Sequence, residues 1–166
     1  MQDKLRRRYQ IHKEVSRGGS YGGKIRVRDL TRLAEFLYSD DATIEVEFEF
    51  IRSEYDAPMV KGRLDTSLLV ECQRCLKVME KPLAIDFSLL VDAVDELVTE
   101  SSFDTIYSQE GYVDIFEVAE DELILGLPLV NMHDDVACNK YWSAQEQEPE
   151  ATLENPFSVL DKLKIN

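Results

Sequence analysis

Residues 43–50 read TIEVEFEF, a strict alternation of apolar and polar side chains. In a β-strand the apolar members would share one face and the glutamates the other, because successive side chains point to opposite faces. The period-two pattern returns in residues 64–72 and again in residues 83–91, after short polar connections. Three such strands in a row predict an antiparallel β-meander, as a sheet or a partly closed barrel. Pro82 has no N–H to donate, so it is expected at a sheet edge or a bulge.

Helical periodicity flanks the predicted strands. Between Arg28 and Tyr38 the apolar residues recur at i, i+3, i+4 and i+7, which predicts one helix. Asp114 is placed to cap a second helix, which Pro128 would end. The predicted fold class is therefore α+β, with helices flanking the meander.

Composition shifts divide the chain into four predicted parts. Residues 1–27 form a basic, glycine-containing N-terminal arm, in which the run Gly18–Gly23 suggests a mobile loop or linker. Residues 28–143 form the α+β domain. Residues 144–154 are rich in glutamate and predict an acidic linker, and residues 155–166 predict a C-terminal helix that docks on the domain.

Charge is unevenly distributed along the chain. Residues 1–32, the basic segment, hold ten Lys or Arg and three acids, a net charge of +7, whereas the remainder carries −21. Solvent screens charges beyond about 10 Å, so an extended basic segment could attract phosphate while the body repels it. A solvated charged face explains the same composition equally well. The candidate RNA-binding cations of this segment are Arg6, Arg7, Arg8, Arg17, Lys24, Arg26 and Arg28.

Cys72 and Cys75 lie three residues apart between the second and third predicted strands, at or near a hairpin turn. Such a pair can supply half of a structural zinc site, which takes four nitrogen or sulfur ligands. His133 and Cys138 would complete a Cys₃His set and attach their loop to the hairpin. Two further interpretations remain open: a metal-free turn with two half-buried thiols, and a redox pair.

Enzyme signatures are lacking. The chain contains no P-loop, no GxGxxG after a strand, no GxSxG and no HExxH. The carboxylates of residues 114–122 are more typical of a solvated acidic helix face than of a catalytic cluster. No apolar run is long enough to span a bilayer and no secretory signal is evident, which predicts a cytoplasmic, non-enzymatic protein.

Several blocks of the sequence occur in a characteristic order. They are LVECQRCL at residues 69–76, Val113–Ile115, EDELILGLP at residues 120–128, His133 with Cys138, and NPFSVL at residues 155–160 with Leu163 and Lys164. Through these blocks, over about residues 60–166, the chain resembles the YceD-like family, the large ribosomal RNA subunit accumulation proteins of bacteria and plastids. Members from other bacterial groups have a second, richer cysteine cluster where this chain has one His and one Cys.

The resemblance implies a factor needed for accumulation or processing of large-subunit (23S) ribosomal RNA, without a small-molecule substrate or a membrane. Two hypotheses follow for its action. In the first, the hairpin turn presents Arg74 as a docking site while the basic segment contacts the RNA or its precursor. In the second, the acidic body is a protein adaptor that binds a basic ribosomal protein or assembly enzyme by charge complementarity.

Overall fold

A computed structural model of the chain describes residues 5–92 and 103–139. The chain divides into two compact units, Met1–Met132 and His133–Asn166. The first unit contains seven described strands and three described α-helices. Its elements are β1 (Arg8–Gln10), α1 (Ile11–Arg17), β2 (Ser20–Arg26), a 3₁₀ helix (Val27–Asp29), α2 (Thr31–Ala34), β3 (Thr43–Arg52), β4 (Pro58–Glu71), β5 (Val78–Val91), β6 (Asp104–Ile106), β7 (Tyr112–Asp114) and α3 (Ile115–Gly126).

The main sheet has five strands in the order β2-β3-β4-β5-β6. Strands β2 to β5 pair antiparallel, which confirms the predicted meander, and the short β6 pairs parallel with the end of β5. The sheet is open, since β2 and β6 lie at opposite ends of this order. Strands β1 and β7 form a separate antiparallel pair. The α+β fold class is confirmed, and of the two predicted forms the chain adopts the open sheet.

The alternation in β3 determines which face of the sheet is covered. Ile44, Val46, Phe48 and Phe50 are all buried, whereas the glutamates between them are exposed. Tyr9 packs against this face, with its ring centroid 5.3 Å from that of Phe48 and 5.5 Å from that of Phe50. The core therefore lies between the sheet and the elements that precede and follow it in the chain.

The glycine-containing run at residues 18–23 was predicted as a mobile loop or linker, and this prediction is wrong. Residues Ser20–Arg26 form β2, which pairs with β3 over its whole length. Its glycines allow close approach: a Cβ at Gly23 would lie 2.7 Å from the Cβ of Leu5. Glycine inside a strand commonly marks such a contact, and composition alone does not distinguish it from a flexible segment.

The single helix predicted between Arg28 and Tyr38 is also wrong in extent. The structure has a 3₁₀ helix at Val27–Asp29 and a short α2 at Thr31–Ala34. Beyond α2 the backbone is diverted, because the amide of Tyr38 donates to the carbonyl of Leu69 on β4 instead of continuing a helix. The apolar periodicity does mark buried positions, since Leu30 and Leu33 are in the core.

Helix α3 forms as predicted. The Asp114 carboxylate accepts hydrogen bonds from the amides of Phe116 and Glu117, which satisfies the first turn. The helix ends at Gly126, two residues before Pro128. Pro82 lies in β5 outside the segment Leu89–Val91 that pairs with β6. Among the described strands it therefore has a neighbour on one side only, which agrees with the expected edge position.

The described part of the second unit contains a 3₁₀ helix, Val136–Cys138, whose first turn is capped by the carboxylate of Asp135. The predicted linker and C-terminal helix lie outside the described residues, and the predicted division of the chain into four parts stays a prediction. Among the helices of the described ranges, none combines the length and apolarity that a bilayer crossing requires.

Candidate metal and docking site at the cysteine turn

The two closely spaced cysteines lie where β4 passes into β5. Cys72 follows the last residue of β4, and a turn of residues 73–75 leads back toward Val78. The Cys72 amide donates to the carbonyl of Lys77 at 2.9 Å, and the Leu76 amide donates to the carbonyl of Cys72 at 2.8 Å. Cys72 is fully buried and Cys75 is half-buried. Because the two cysteines lie in the connection between the paired strands β4 and β5, their predicted position at a hairpin turn is confirmed.

The turn is attached to the chain that follows α3. The Gln73 amide donates to the carbonyl of Asn131 at 2.8 Å, and its side-chain Nε2 donates to the carbonyl of Leu129 at 3.3 Å. The Arg74 guanidinium lies 3.5 Å from Sδ of Met132. His133 follows Met132 directly in the sequence.

Cys72, Cys75, His133 and Cys138 form a group of side chains that could hold a metal ion. The two cysteines of the turn are separated by two residues, and Cys138 ends the 3₁₀ helix five residues after His133. Three thiolates and one imidazole make a donor set that suits zinc, and four protein ligands leave no open position for catalysis. The donor chemistry therefore fits a structural ion.

Most of the candidate RNA-binding cations of the basic segment lie beside acids. Arg17 Nε is 2.7 Å from the Glu14 carboxylate, and its guanidinium also donates to the Tyr21 hydroxyl. Other ion pairs join the basic segment to acids elsewhere in the fold or along the chain. They are Arg7 with Asp114 at 2.7 Å, Lys24 with Glu45 at 2.7 Å, Arg26 with Asp29 at 3.2 Å and Arg28 with Asp41 at 2.7 Å.

The ion pair of Arg7 with Asp114 changes the pKa of the arginine. Its guanidinium donates to Asp114, the residue that caps α3, and this hydrogen bond raises the pKa of Arg7 above its ordinary value. Arg6 and Arg8 differ, because neither forms an ion pair within the described ranges. The Arg8 guanidinium lies 5.0 Å from the ring centroid of Tyr112, a cation–π arrangement that leaves its charge accessible.

The sequence analysis did not predict that two carboxylates, those of Glu14 and Glu120, are buried. Glu14 accepts a hydrogen bond from the Tyr21 hydroxyl at 2.5 Å. Glu120 was expected to belong to the solvated acidic face of its helix, but it is only 6% exposed and accepts from the amides of Arg32 and Leu33. Helical spacing does carry a signal here, since Glu120 lies three residues before Leu123, which is buried on the same side of the helix.

Comparison with known proteins identifies the family of the chain. A family model described as "Large ribosomal RNA subunit accumulation protein YceD" matches residues 60–164, which include the cysteine turn, α3, His133 and Cys138. The chain belongs to the YceD family. A family member from Haemophilus influenzae, named large ribosomal RNA subunit accumulation protein YceD, is 32% identical over 163 residues, covering 92% of this chain and 91% of the relative. No solved structure is significantly similar to the chain.

Proposed function

We propose that this YceD-family chain is a non-enzymatic ribosome-biogenesis factor that supports the accumulation and processing of 23S ribosomal RNA in the cytoplasm. The observation that carries the proposal is the similarity to the Haemophilus influenzae relative, which extends over 92% of the chain. Because both chains are covered almost end to end, the likeness is not restricted to one shared module. The factor would act by binding RNA or a ribonucleoprotein intermediate.

The cysteine turn is the proposed docking site. Zinc held by Cys72, Cys75, His133 and Cys138 would join the turn to the loop after α3 and keep both in one arrangement. Arg74 lies between two of these ligands, so fixing the turn would also fix where its guanidinium points. A positioned arginine can bind phosphate through two hydrogen bonds at once, which suits an RNA backbone.

The basic segment would supply additional phosphate contacts. Arg6 and Arg8 have the most accessible charges of the candidate set within the described residues, since the other five each lie beside an acid. A phosphate would have to share or displace those acids. We therefore assign the main RNA contacts of the segment to Arg6 and Arg8.

A deletion of the gene in its native host tests the proposal. Loss of the chain should lower the ratio of 23S to 16S ribosomal RNA, and expression of the intact chain should restore it. A chain carrying Arg74→Ala, with Lys77→Ala as the exposed control in the same hairpin, should restore the ratio poorly. A normal ratio in the deletion strain would contradict the proposed function.

A second candidate function, the protein adaptor, is favoured by the ion pairs of the basic segment. Each acid that already binds one of these cations reduces the charge available to attract phosphate, whereas the acidic remainder of the surface stays able to attract a basic protein. Co-purification of one basic ribosomal or assembly protein after nuclease treatment would favour the adaptor. Loss of all partners after nuclease treatment would favour direct RNA binding.

A further inference from the structure

A groove lies beside the cysteine turn, between the chain after α3 and the α2–β3 connection. Its cavity volume is about 360 Å³. We call it the acceptor groove because it presents hydrogen-bond acceptors. The lining includes Phe36, Glu71, Gln73, Leu127, Leu129 and Asn131, all of which belong to the first unit.

The walls of the acceptor groove expose large apolar side chains. Leu129 is 96% exposed and Phe36 is 60% exposed, while Leu127 is half-buried and packs against the core. Water-exposed apolar surface lowers stability unless another surface covers it, and clustered exposure of this kind is typical of interaction sites. The groove could therefore bind one large apolar side chain of a partner, which would cover these exposed walls.

Two acceptor groups of the groove lack a partner among the described residues. The Oδ1 atom of Asn131 is buried and accepts no hydrogen bond from them. The Glu71 carboxylate is exposed and forms no ion pair with any described residue. Gln73, in contrast, already donates its Nε2 to the carbonyl of Leu129. A ligand that satisfies Asn131 and Glu71 must therefore bring donors.

The charges around the groove favour a basic protein segment over a nucleic acid as its ligand. No described Lys or Arg lines the groove. Helix α3, which leads into it, contains four acids and no basic residue, and Arg32 pairs with two of these acids, Glu120 and Asp121. A nucleic acid would bring phosphate acceptors to a site that already lacks donors. A Lys or Arg side chain supplies donors and a positive charge together, which matches both Glu71 and the acidic helix.

We propose that the acceptor groove binds a protein segment in which Lys or Arg residues flank one large aliphatic or aromatic side chain. The apolar side chain enters between Phe36, Leu127 and Leu129, and the cationic neighbours donate to Glu71 and to Asn131. This inference deepens the adaptor role and rests on it, because it identifies the chemistry of the partner and the place where it binds.

Site-specific photocrosslinking tests the groove with the intact chain in its native host. The probe is p-benzoylphenylalanine placed at Leu129, inside the groove, or at Leu125, a control that is 78% exposed on α3 and does not line it. Irradiation should join position 129 to a protein segment that mass spectrometry identifies as Lys- or Arg-rich around an apolar residue. Adding Glu71→Gln should lower the yield about tenfold, as expected for loss of a charge-assisted hydrogen bond.

Three results would overturn the inference: equal yields from positions 129 and 125, crosslinks to RNA, or crosslinks to a segment without Lys or Arg. Thermal melting of each variant shows that it is folded, so an absent crosslink is informative. The ratio of 23S to 16S ribosomal RNA, measured in the same cells, separates the two proposals. If that ratio requires the chain while the crosslink fails, only the groove is rejected; if deletion leaves the ratio normal, the proposed function is rejected.

Discussion

The carboxylate of Glu120 connects two helices through backbone amides. Its Oε1 accepts from the Arg32 amide at 2.7 Å and from the Leu33 amide at 3.1 Å, and its Oε2 accepts from the Arg32 guanidinium at 3.0 Å. Glu120→Ala leaves those amides without acceptors, and we expect a loss of about 3 kcal/mol in the free energy of unfolding. Urea denaturation measures this loss.

Two further variants separate the hydrogen bonds from the charge. Glu120→Gln keeps an oxygen for the amides of Arg32 and Leu33, so it should cost less than Glu120→Ala. Glu117→Ala removes an exposed acid from the same helix and should change stability by less than about 1 kcal/mol. If the Glu120→Ala and Glu117→Ala proteins unfold at the same urea concentration, the amide contacts contribute nothing measurable.

Burial raises the pKa of Glu122 above its ordinary value of 4.5, with additional effects of Asp104 and Asp121. The folded chain therefore holds this proton more tightly than the unfolded chain. The contribution of Glu122 to stability is greatest below pH 4.5 and is lost as the pH rises through the raised pKa. Glu122→Gln should thus be more stable than the unchanged chain at pH 7, by less than about 1 kcal/mol because water screens this half-buried group.

Chemical denaturation at a series of pH values checks the Glu122 prediction. The advantage of Glu122→Gln should shrink as the pH is lowered and the natural carboxyl becomes protonated. Glu54→Gln, at an exposed position in the β3–β4 turn, is the control. An advantage of the same size at every pH would show that the gain has another origin than the protonation of Glu122.

At the scale of single residues, the sequence predicts hydrogen bonds between near neighbours along the chain better than those formed by tertiary packing. Asp114 was recognisable as a cap because its partners are the next residues along the chain. Glu14 and Glu120 were not, because their partners, Tyr21 and the amides of Arg32 and Leu33, are determined by tertiary packing. A charged side chain on a buried helical face is the sequence signal that would have identified Glu120 as a tertiary contact.

At the scale of elements, the strands that alternate were predictable, whereas β2, which does not alternate, and the three-residue β1, β6 and β7 were missed. Strands β3, β4 and β5 each carry a period-two pattern because one face is buried. Strand β2 also has buried members, Tyr21 and Ile25, but Gly22 and Gly23 between them remove the pattern. Leu5 packs closely against Gly23, and this contact depends on the tertiary fold. Local sequence patterns therefore could not predict why a glycine occurs in this strand.

The cysteine turn is the element whose stability should depend on a metal. Protein purified without chelator should contain about one equivalent of zinc, since four ligands hold one ion. Removal of zinc with a chelator should lower the melting temperature, because metal-binding free energy is also folding free energy. Elemental analysis and thermal melting in the same buffer measure the two quantities.

Histidine offers a matched pair for the metal prediction, since the chain has only two. His133→Asn removes a proposed ligand, whereas His12→Asn changes an exposed residue of α1. The first variant should lose zinc and should no longer respond to the chelator, and the second should behave like the unchanged chain. Zinc content that is negligible in the unchanged chain would reject the metal and leave the metal-free turn or the redox pair.

At the scale of the whole molecule, folding brings the cations of the basic segment close to acids of the remainder, although the sequence suggests that the two are separate. The basic segment and the acidic remainder were expected to lie beyond the screening distance of each other. Instead β1 and β2 pair with β7 and β3, which brings Arg7 to Asp114 and Lys24 to Glu45, each at 2.7 Å. Charge counted along a sequence therefore overstates the positive potential that a folded segment presents to RNA.

This pairing also determines how RNA binding should be tested. Removal of residues 1–32 would take away β1, α1 and β2, with the buried side chains of Tyr9 and Tyr21, so it would disrupt the fold together with the cations. Single substitutions at exposed side chains avoid this. Arg6→Gln and Arg8→Gln alter cations without an ion pair in the described part of the chain, and Lys24→Gln alters one that Glu45 already binds.

If Arg6 and Arg8 contact phosphate, each substitution should reduce the slope of log K against log salt by about 0.7–0.9, the value for one released counterion. Lys24→Gln should reduce it by less, because its ammonium is already partly neutralised. Titration of 23S RNA fragments at several salt concentrations gives these slopes. Equal slopes for all three variants and the unchanged chain would show that the basic segment does not touch RNA phosphate, and would leave the protein adaptor as the function of this acidic molecule.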